Sequence, residues 1–373
     1  MDINRHLYKT LKNSLYKGKT QLIFGARRVG KTHLVKRLVE EENGIYYNCE
    51  LLQVKELMDT TNSVALEQLI GNKNLVAFDE AQAIPEIGLK LKILHDTFPS
   101  VQFIATGSSA FELVNATSEP LTGRSRTYIL YPFSFQEIAE FTNPSDAYAG
   151  IESMLRFGMY PDVFLKNEAD MKEELMNITS NYLYKDVLAY GNLKRPDIIY
   201  ELLKLLAFQI GHEVSINEIS NKIDTSVHTI RRYLDMLEKA FVITSLSSLS
   251  RNLRNEIGKS KKYYFLDTGI RNALIQNFNP LSMRNDTGPL WENFCVLERM
   301  KKNQYERVFA NTYFWRTYEQ KEIDYIEERD GKLFAYEFKW SANEGKAPRA
   351  FTEAYPEGSY QVVSKNNFME FVL

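Results

Sequence analysis

"TQLIFGARRVGKTHLVKRLVEEEN", residues 20–43, decides the fold of the first third of the chain. The apolar run "QLIF" reads as a short buried strand. The octet "GARRVGKT", residues 25–32, then satisfies G-x-x-x-x-G-K-[ST] at every position, and Leu34, Val35, Leu38 and Val39 follow at helical spacing. Strand, glycine-rich loop and helix in that order are the context that a phosphate-binding loop requires. Gly25 and Gly30 let the loop curl so that backbone N–H groups face a phosphate. Contacts to a nucleotide are therefore expected along Gly25, Ala26, Arg27, Arg28, Val29, Gly30, Lys31, Thr32 and His33. Lys31 is expected to reach the β- and γ-phosphates of ATP, and Thr32 to offer its hydroxyl to Mg²⁺.

Working outward, "NLVAFDEAQ", residues 74–82, is a second apolar strand that ends in Asp79 and Glu80. Acids at the C-terminal end of a buried strand lie where ligands bind in α/β folds. Asp79 is expected to hold Mg²⁺ through water, and Glu80 to polarise the attacking water. A third apolar strand, "VQFIATGSS", residues 101–109, ends in Thr106, Gly107, Ser108 and Ser109. Ser108 is the candidate there for touching the γ-phosphate or positioning the water. "LTGRSRTYILYPFSF", residues 121–135, places Arg124 and Arg126 before another strand. Arg124 is expected to supply transition-state charge to the nucleotide of a neighbouring copy, which implies a homo-oligomer.

The 373 residues exceed one ordinary core, so two to four domains are expected. A net charge of −2 excludes a surface coated in positive charge, and any nucleic-acid contact must be a local patch. Cys49 and Cys295 are far apart and lack metal-ligand spacing, which suits a reducing cytoplasm rather than a disulfide scaffold. No apolar run reaches membrane-spanning length, and the first residues lack the apolar core of a signal peptide.

In this order, "GARRVGKT", "FDEAQ", "ATGSS", "LTGR" and "YPFSF" resemble the AAA-type ATPase domain of a large bacterial and archaeal family. Members of that family continue into an uncharacterised C-terminal region, and the resemblance covers nearly the whole chain. It implies a P-loop ATPase domain over residues 1–136 and a helical lid over 137–200. Within the lid, "LRFGMYPDVF" carries Gly158 and Pro161, similar to a Gly–aromatic–Pro element of the family, and Lys185-Asp186 is similar to its basic–acidic pair.

Residues 214–243, "VSINEISNKIDTSVHTIRRYLDMLEKAFVI", hold two short helical patterns. Ser215 and Glu218 form a capping box, and Ile216, Ile219 and Ile223 one apolar face. Asp224-Thr225-Ser226 is a turn and a new N-cap, and Val227, Ile230, Leu234 and Leu237 face inward on the next helix. Two capped helices across a tight turn predict a helix-turn-helix. "FVITSLSSLS" and "SKKYYFLD" add a wing, so a winged helix is expected over 201–275. His228, Thr229, Arg231 and Arg232 face outward where base contacts occur in a major groove. Arg251, Arg254, Lys259, Lys261 and Lys262 are expected to meet phosphates of double-stranded DNA.

The remainder, 276–373, reads as an amphipathic helix in "GPLWENFCVLERMKK", then strands in "RVFANTYFWRT", "EIDYIEE", "KLFAYEFKW" and "SYQVVSKNN". Asp330-Gly331 is a hairpin signal. Glu337 and Lys339 share one strand face, and the hairpin brings Asp324 alongside. This order resembles the PD-(D/E)XK nuclease core, with Ile323 standing where the motif has proline. The resemblance implies that Asp324 and Glu337 bind a divalent metal, that Lys339 stabilises charge, and that Glu292 adds a further acid. Taken together, the expected function is Mg²⁺-dependent ATP hydrolysis coupled to engaging nucleic acid. The alternatives are an ATP-gated switch that binds a protein partner, and an ATP-regulated metal-dependent DNA endonuclease.

Overall fold

The computed structural model describes residues 3–107, 121–182, 196–249, 261–317, 319–341 and 345–373. Two compact units are present. One is built on Met1–Phe133 with the short segment Lys239–Phe241, and the other on Ser134–Lys185, Leu193–Glu238 and Val242–Leu373.

The first unit is an α/β layer around a parallel sheet. Its strands are β1 (Thr20–Phe24), β2 (Ile45–Asn48), β3 (Leu75–Asp79), β4 (Gln102–Gly107) and β5 (Ser125–Ile129), in the order β2-β3-β4-β1-β5. Every pairing is parallel. β1, β3 and β4 are buried along their whole length, which is why they read as continuous apolar runs. β2, "IYYN", is half-buried and was not legible as a strand. The helix Lys31–Glu41 packs Leu34, Val35, Leu38 and Val39 inward, as their spacing predicts. With β4 between β1 and β3, the register sets Phe24 beside Gly107 and Phe78 beside Ala105. The C-terminal ends of three strands thus meet at one edge, where the loop after β1 also lies.

The second unit is built on a seven-stranded sheet ordered β12-β11-β10-β9-β7-β8-β6. The strands are β6 (Glu213–Val214), β7 (Ile243–Ser248), β8 (Lys261–Phe265), β9 (Asn311–Arg316), β10 (Glu322–Arg329), β11 (Lys332–Phe338) and β12 (Ser359–Val363). β6, β8 and β7 pair antiparallel beside the helices Ile216–Lys222 and Val227–Lys239. β9 joins β7 through a parallel ladder that sets Ser247 beside Tyr313 and Ser248 beside Phe314. Residues 201–275 and 276–373, expected as separate domains, therefore share one sheet. Asp330 and Gly331 both have positive φ, +49° and +75°, and Arg329 pairs with Lys332 across them. That is the two-residue turn whose twist matches the flanking strands.

The helix Thr287–Tyr305 differs from its expected one-sided amphipathic pattern. Residues 290–299 are buried without interruption, Glu292, Asn293, Glu298 and Arg299 included. Over residues 290–299 the helix is enclosed, so its charged positions there mark buried partners rather than a solvated face. Glu298 accepts from the Phe135 backbone N–H at 2.6 Å and pairs with Lys301 at 2.7 Å. Arg299 pairs with Glu327 at 2.8 Å and donates to the Phe371 carbonyl at 2.8 Å.

Gly158 and Pro161 now have a physical reason. Gly158 adopts φ +71°, ψ −164°, a region open to glycine alone, and a Cβ there would lie 1.9 Å from Asp267 Oδ1. Asp267 accepts from the N–H of Met159 at 2.7 Å and of Ile270 at 3.1 Å, capping the helix Thr268–Leu274. Pro161 opens the next short helix, Pro161–Phe164, where its fixed φ is tolerated. The Gly158→Ala variant is expected to lose roughly 3 kcal/mol, read as a fall in urea midpoint at unchanged m-value. Burial raises the Asp267 carboxyl to about 6, against its backbone hydrogen bonds. The folded state therefore holds that proton more tightly than the unfolded chain. Its contribution to stability is complete below the unfolded value of 3.8 and is lost as pH rises to about 6. Asp267→Asn should flatten the stability profile across that window, measured by urea denaturation from pH 3.5 to 7.

Candidate functional site

The loop after β1 turns on Gly25, Arg28 (φ +64°) and Gly30 (φ +97°). A Cβ on Gly25 would meet the Leu130 carbonyl oxygen at 2.2 Å, so the loop passes too close to the strand-end backbone for any side chain. Gly30 is the N-cap of the eleven-residue helix Lys31–Glu41. The N–H groups and positive dipole end of that helix make an anion cradle. Lys31 is buried, and its ammonium donates to the carbonyls of Gly25 and Ala26 at 2.8 and 2.9 Å. Ala26 and Val29 are buried, Arg27 and Arg28 half-buried, and His33 exposed.

Asp79, buried at the end of β3, is the hub of the site. Its Oδ2 accepts from Thr32 Oγ1 at 2.7 Å and from the Tyr46 hydroxyl at 2.6 Å. Its Oδ1 accepts a short bond from Thr106 Oγ1. Thr106 in turn accepts from the Glu80 N–H at 3.1 Å. Glu80 takes up φ +50°, an uncommon conformation for a residue with a Cβ, and accepts from Gln82 Nε2 at 2.6 Å. Burial, then the Asp79 hydrogen bond and charge, push the Tyr46 phenol up, so it stays a donor. Burial together with Asp79 and Glu80 pushes the Cys49 thiol up to about 12, which leaves it inert.

The structure thus brings Lys31, Thr32, Asp79 and Glu80 to one edge, with Thr106 from the end of β4. Ser108 lies outside the described residues. Arg124 is not in this group. It precedes β5 at the opposite end of the sheet, since Thr20 pairs with Ser125 and Phe24 with Ile129. Five residues of strand separate it from the loop, roughly 16 Å, and its guanidinium pairs with Asp96 at 2.7 Å. Two contributors carried no local signal. Tyr46 sits on a strand whose burial pattern is not apolar, and Arg5 lies before any motif. Arg5 donates to the carbonyls of Val29 (2.6 Å) and Tyr131, and stacks 5.0 Å from the Phe133 ring. It ties the phosphate loop to the chain beyond β5.

Of the residues expected to face a major groove, His228, Arg231 and Arg232 are exposed at the start of the helix Val227–Lys239, and Thr229 is half-buried. The capping box is half made. Ser215 accepts from the Glu218 N–H at 3.3 Å, while the Glu218 carboxylate pairs with Lys222 at 2.7 Å. The wing cations depart from expectation. Lys262 is completely buried, and Lys261 is half-buried with its ammonium 3.2 Å from Ser245 Oγ. Arg251, Arg254 and Lys259 lie outside the described residues.

Asp324, Glu337 and Lys339 do converge. Tyr325 pairs with Tyr336, which puts Asp324 directly across the ladder from Glu337. Glu337 pairs with Lys339 at 2.7 Å, and Asp324 Oδ2 accepts from the Phe338 N–H at 2.9 Å. Burial, then the neighbouring Asp324 charge, raise the Glu337 carboxyl, and burial raises that of Asp324. Glu292 Oε1 accepts from Tyr264 at 2.7 Å and from Lys262 at 2.9 Å. Burial followed by the Asp324 charge raises the Glu292 carboxyl, with Lys262 opposing. Among the described residues, no three His, Cys, Asp or Glu side chains are grouped so as to hold a metal ion. No described helix is long and apolar enough to cross a membrane.

Residues 17–139 match the family described as AAA domain. Residues 149–281 and 287–372 match two families described as domains of unknown function, DUF8612 and DUF4143. The two stretches meet between β8 and β9, and the seven-stranded sheet crosses that join. An uncharacterized protein of Mycobacterium tuberculosis is 26% identical over 334 residues, 88% of this chain and 72% of its own length. An uncharacterized protein of Haemophilus influenzae is 25% identical over 276 residues, 68% of this chain and 69% of its own. Among solved structures, the Aeropyrum pernix ORC2 protein in its ADP form is 12% identical with a TM-score of 0.31, over 74% of this chain and 95% of that one. The Pif1 helicase of Candida albicans is 16% identical with a TM-score of 0.27, over 48% of each chain. Scores this low leave the fold to be read from the chain itself, and the similarity that bears on chemistry is that of residues 17–139 to an AAA domain.

Proposed function

We propose that the first unit binds ATP with Mg²⁺ and hydrolyses it, and that the second unit uses this cycle to engage nucleic acid. The observation that carries the first part is the meeting of Lys31, Thr32 and Asp79 beside a glycine loop at a helix N-terminus. The donor set suits a polyphosphate, since N–H groups of a glycine loop at a helix N-terminus and one ammonium are donors to phosphate oxygens. Thr32 and Asp79 offer a hydroxyl and a carboxylate, the hard oxygens that suit Mg²⁺. When bound, Mg²⁺ offsets the charge that develops on the phosphate oxygens.

The chain's own residues have separate duties in this reading. The loop N–H groups and Lys31 orient the phosphates. Thr106 and Tyr46 hold the Asp79 carboxylate in one orientation. Glu80, fixed by Gln82 and by its N–H bond to Thr106, accepts the proton from the attacking water at a carboxylate oxygen. Arg124, at the far end of the sheet and paired with Asp96, would serve only the nucleotide of a neighbouring copy.

Lys31→Ala is expected to abolish tight ATP binding, read by fluorescent-nucleotide titration. Glu80→Gln should keep binding and lower kcat at least 100-fold, since it removes a contact made in the transition state. Unchanged turnover in both variants would remove the ATPase assignment.

For the second unit, the supporting observation is the exposed trio His228, Arg231 and Arg232 on the helix after the turn. Arg231→Ala with Arg232→Ala should weaken duplex binding, and the slope of log K against log salt should fall by about 1 for each of the two that meets a phosphate rather than a base. Fluorescence anisotropy from 50 to 300 mM salt gives the slope. Wild-type protein with no salt-dependent DNA binding in any nucleotide state would favour a protein partner instead.

A further inference from the structure

The C-terminal carboxylates already hold a cation that belongs to the chain. Lys262 and Tyr264 alternate on β8 and share one face, and both reach Glu292 Oε1 on the helix Thr287–Tyr305. The Lys262 ammonium also makes a short ion pair with Glu322 and lies 3.6 Å from Asp324 Oδ1. One nitrogen therefore faces three carboxylates from the helix and β10. Of the Asp324 oxygens, Oδ1 faces the ammonium and Oδ2 accepts from the Phe338 N–H. Glu337, across the ladder, pairs through Oε1 with Lys339, while its Oε2 is buried without a hydrogen-bond partner. Arg316 adds a further cation 3.7 Å from Glu322, shared with Glu213 at 3.6 Å.

A divalent ion such as Mg²⁺ needs several oxygens near 2.0–2.1 Å in octahedral array and keeps much of its water. Here the facing oxygens of Glu292, Glu322 and Asp324 surround an ammonium. Lys262 is fully buried on a strand paired on both sides, so its position is set by the sheet and not by a mobile surface stem. The residues present do not fit the metal that the nuclease-like order of elements implies.

We infer that Lys262 takes the place of a divalent cation in the C-terminal centre, so that this half of the protein binds its partner without a metal there and does not cut phosphodiester bonds through metal-bound water. The inference stands apart from the ATPase reading, because its residues all belong to the second unit. It turns a set of residues that looks like a cleavage centre into a self-neutralised joint between β8, β10 and the central helix.

The test is Mn²⁺ titration followed by electron paramagnetic resonance on the full chain without nucleotide, with plasmid integrity followed in parallel. Wild type and Asp324→Asn should bind Mn²⁺ alike and leave DNA intact. Lys262→Met should gain a Mn²⁺ site at least tenfold tighter than any in wild type, and the gain should vanish in Lys262→Met with Asp324→Asn. Wild-type Mn²⁺ affinity that falls tenfold in Asp324→Asn, or Mg²⁺-dependent cleavage lost in that variant, would overturn the inference. So would a folded Lys262→Met that gains no site. If Lys262→Met does not fold, the comparison of wild type with Asp324→Asn decides alone. Glu337→Gln replaces Asp324→Asn if circular dichroism shows that the latter has lost structure.

Discussion

A charge buried in a protein interior must be met by an opposite charge and by hydrogen bonds, or the fold does not form. The helix Thr287–Tyr305 imposes that demand on the whole second unit. It is buried along ten consecutive residues and carries Glu292, Glu298 and Arg299 inside. Each of them reaches a different part of the chain: Glu292 reaches β8, Glu298 the backbone at Phe135, and Arg299 both Glu327 of β10 and the carbonyl of Phe371. Asn293 adds a reciprocal pair with the Phe265 backbone at 2.8 and 2.9 Å. The elements are thus keyed to one helix by polar contacts, while Trp291, Phe294 and Phe368 supply the apolar packing around it. Apolar contact alone would tolerate slippage, whereas a buried ion pair fixes one register.

The first unit rests on a different constraint, the approach of backbone to backbone. Gly25 sits against the Leu130 carbonyl, and the Arg5 guanidinium holds Val29 and Tyr131 together. The phosphate loop is therefore shaped before any anion arrives, by the strand end beneath it and by a side chain from the chain's first segment. Asp79 is likewise oriented by three hydroxyl donors. Orientation prepared in this way lowers the reorganisation needed when charge develops.

The parts legible in the sequence were those whose physics is local. The glycine spacing of residues 25–32, the apolar strands β1, β3 and β4, and the Asp330-Gly331 turn all follow from backbone conformation or short-range burial. The convergence of Asp324, Glu337 and Lys339 follows from strand alternation and one hairpin register. Three features were not legible. Lys262 reads as a wing cation because nothing in "KKYYF" says which face of β8 is buried, and its carboxylate partners lie 30 to 62 residues onward. Tyr46 and Arg5 act through tertiary register, Tyr46 by sitting on the strand next to β3 and Arg5 by spanning the first unit. The enclosed helix misled for the opposite reason, since its charges sit at positions that a surface helix would also use.

The seam between β7 and β9 has a mechanical consequence. Its ladder sets two residue pairs in register, whereas β10 and β11 share five. Two pairs resist sliding poorly, yet Lys262 on one side of the seam is bound to Glu322 and Asp324 on the other. Shear along the sheet must break ion pairs in a medium of low dielectric as well as backbone bonds. Displacement of β7 and β8 against β9 and β10 is therefore opposed as it would be in a riveted plate, by fixed charges as well as by the ladder.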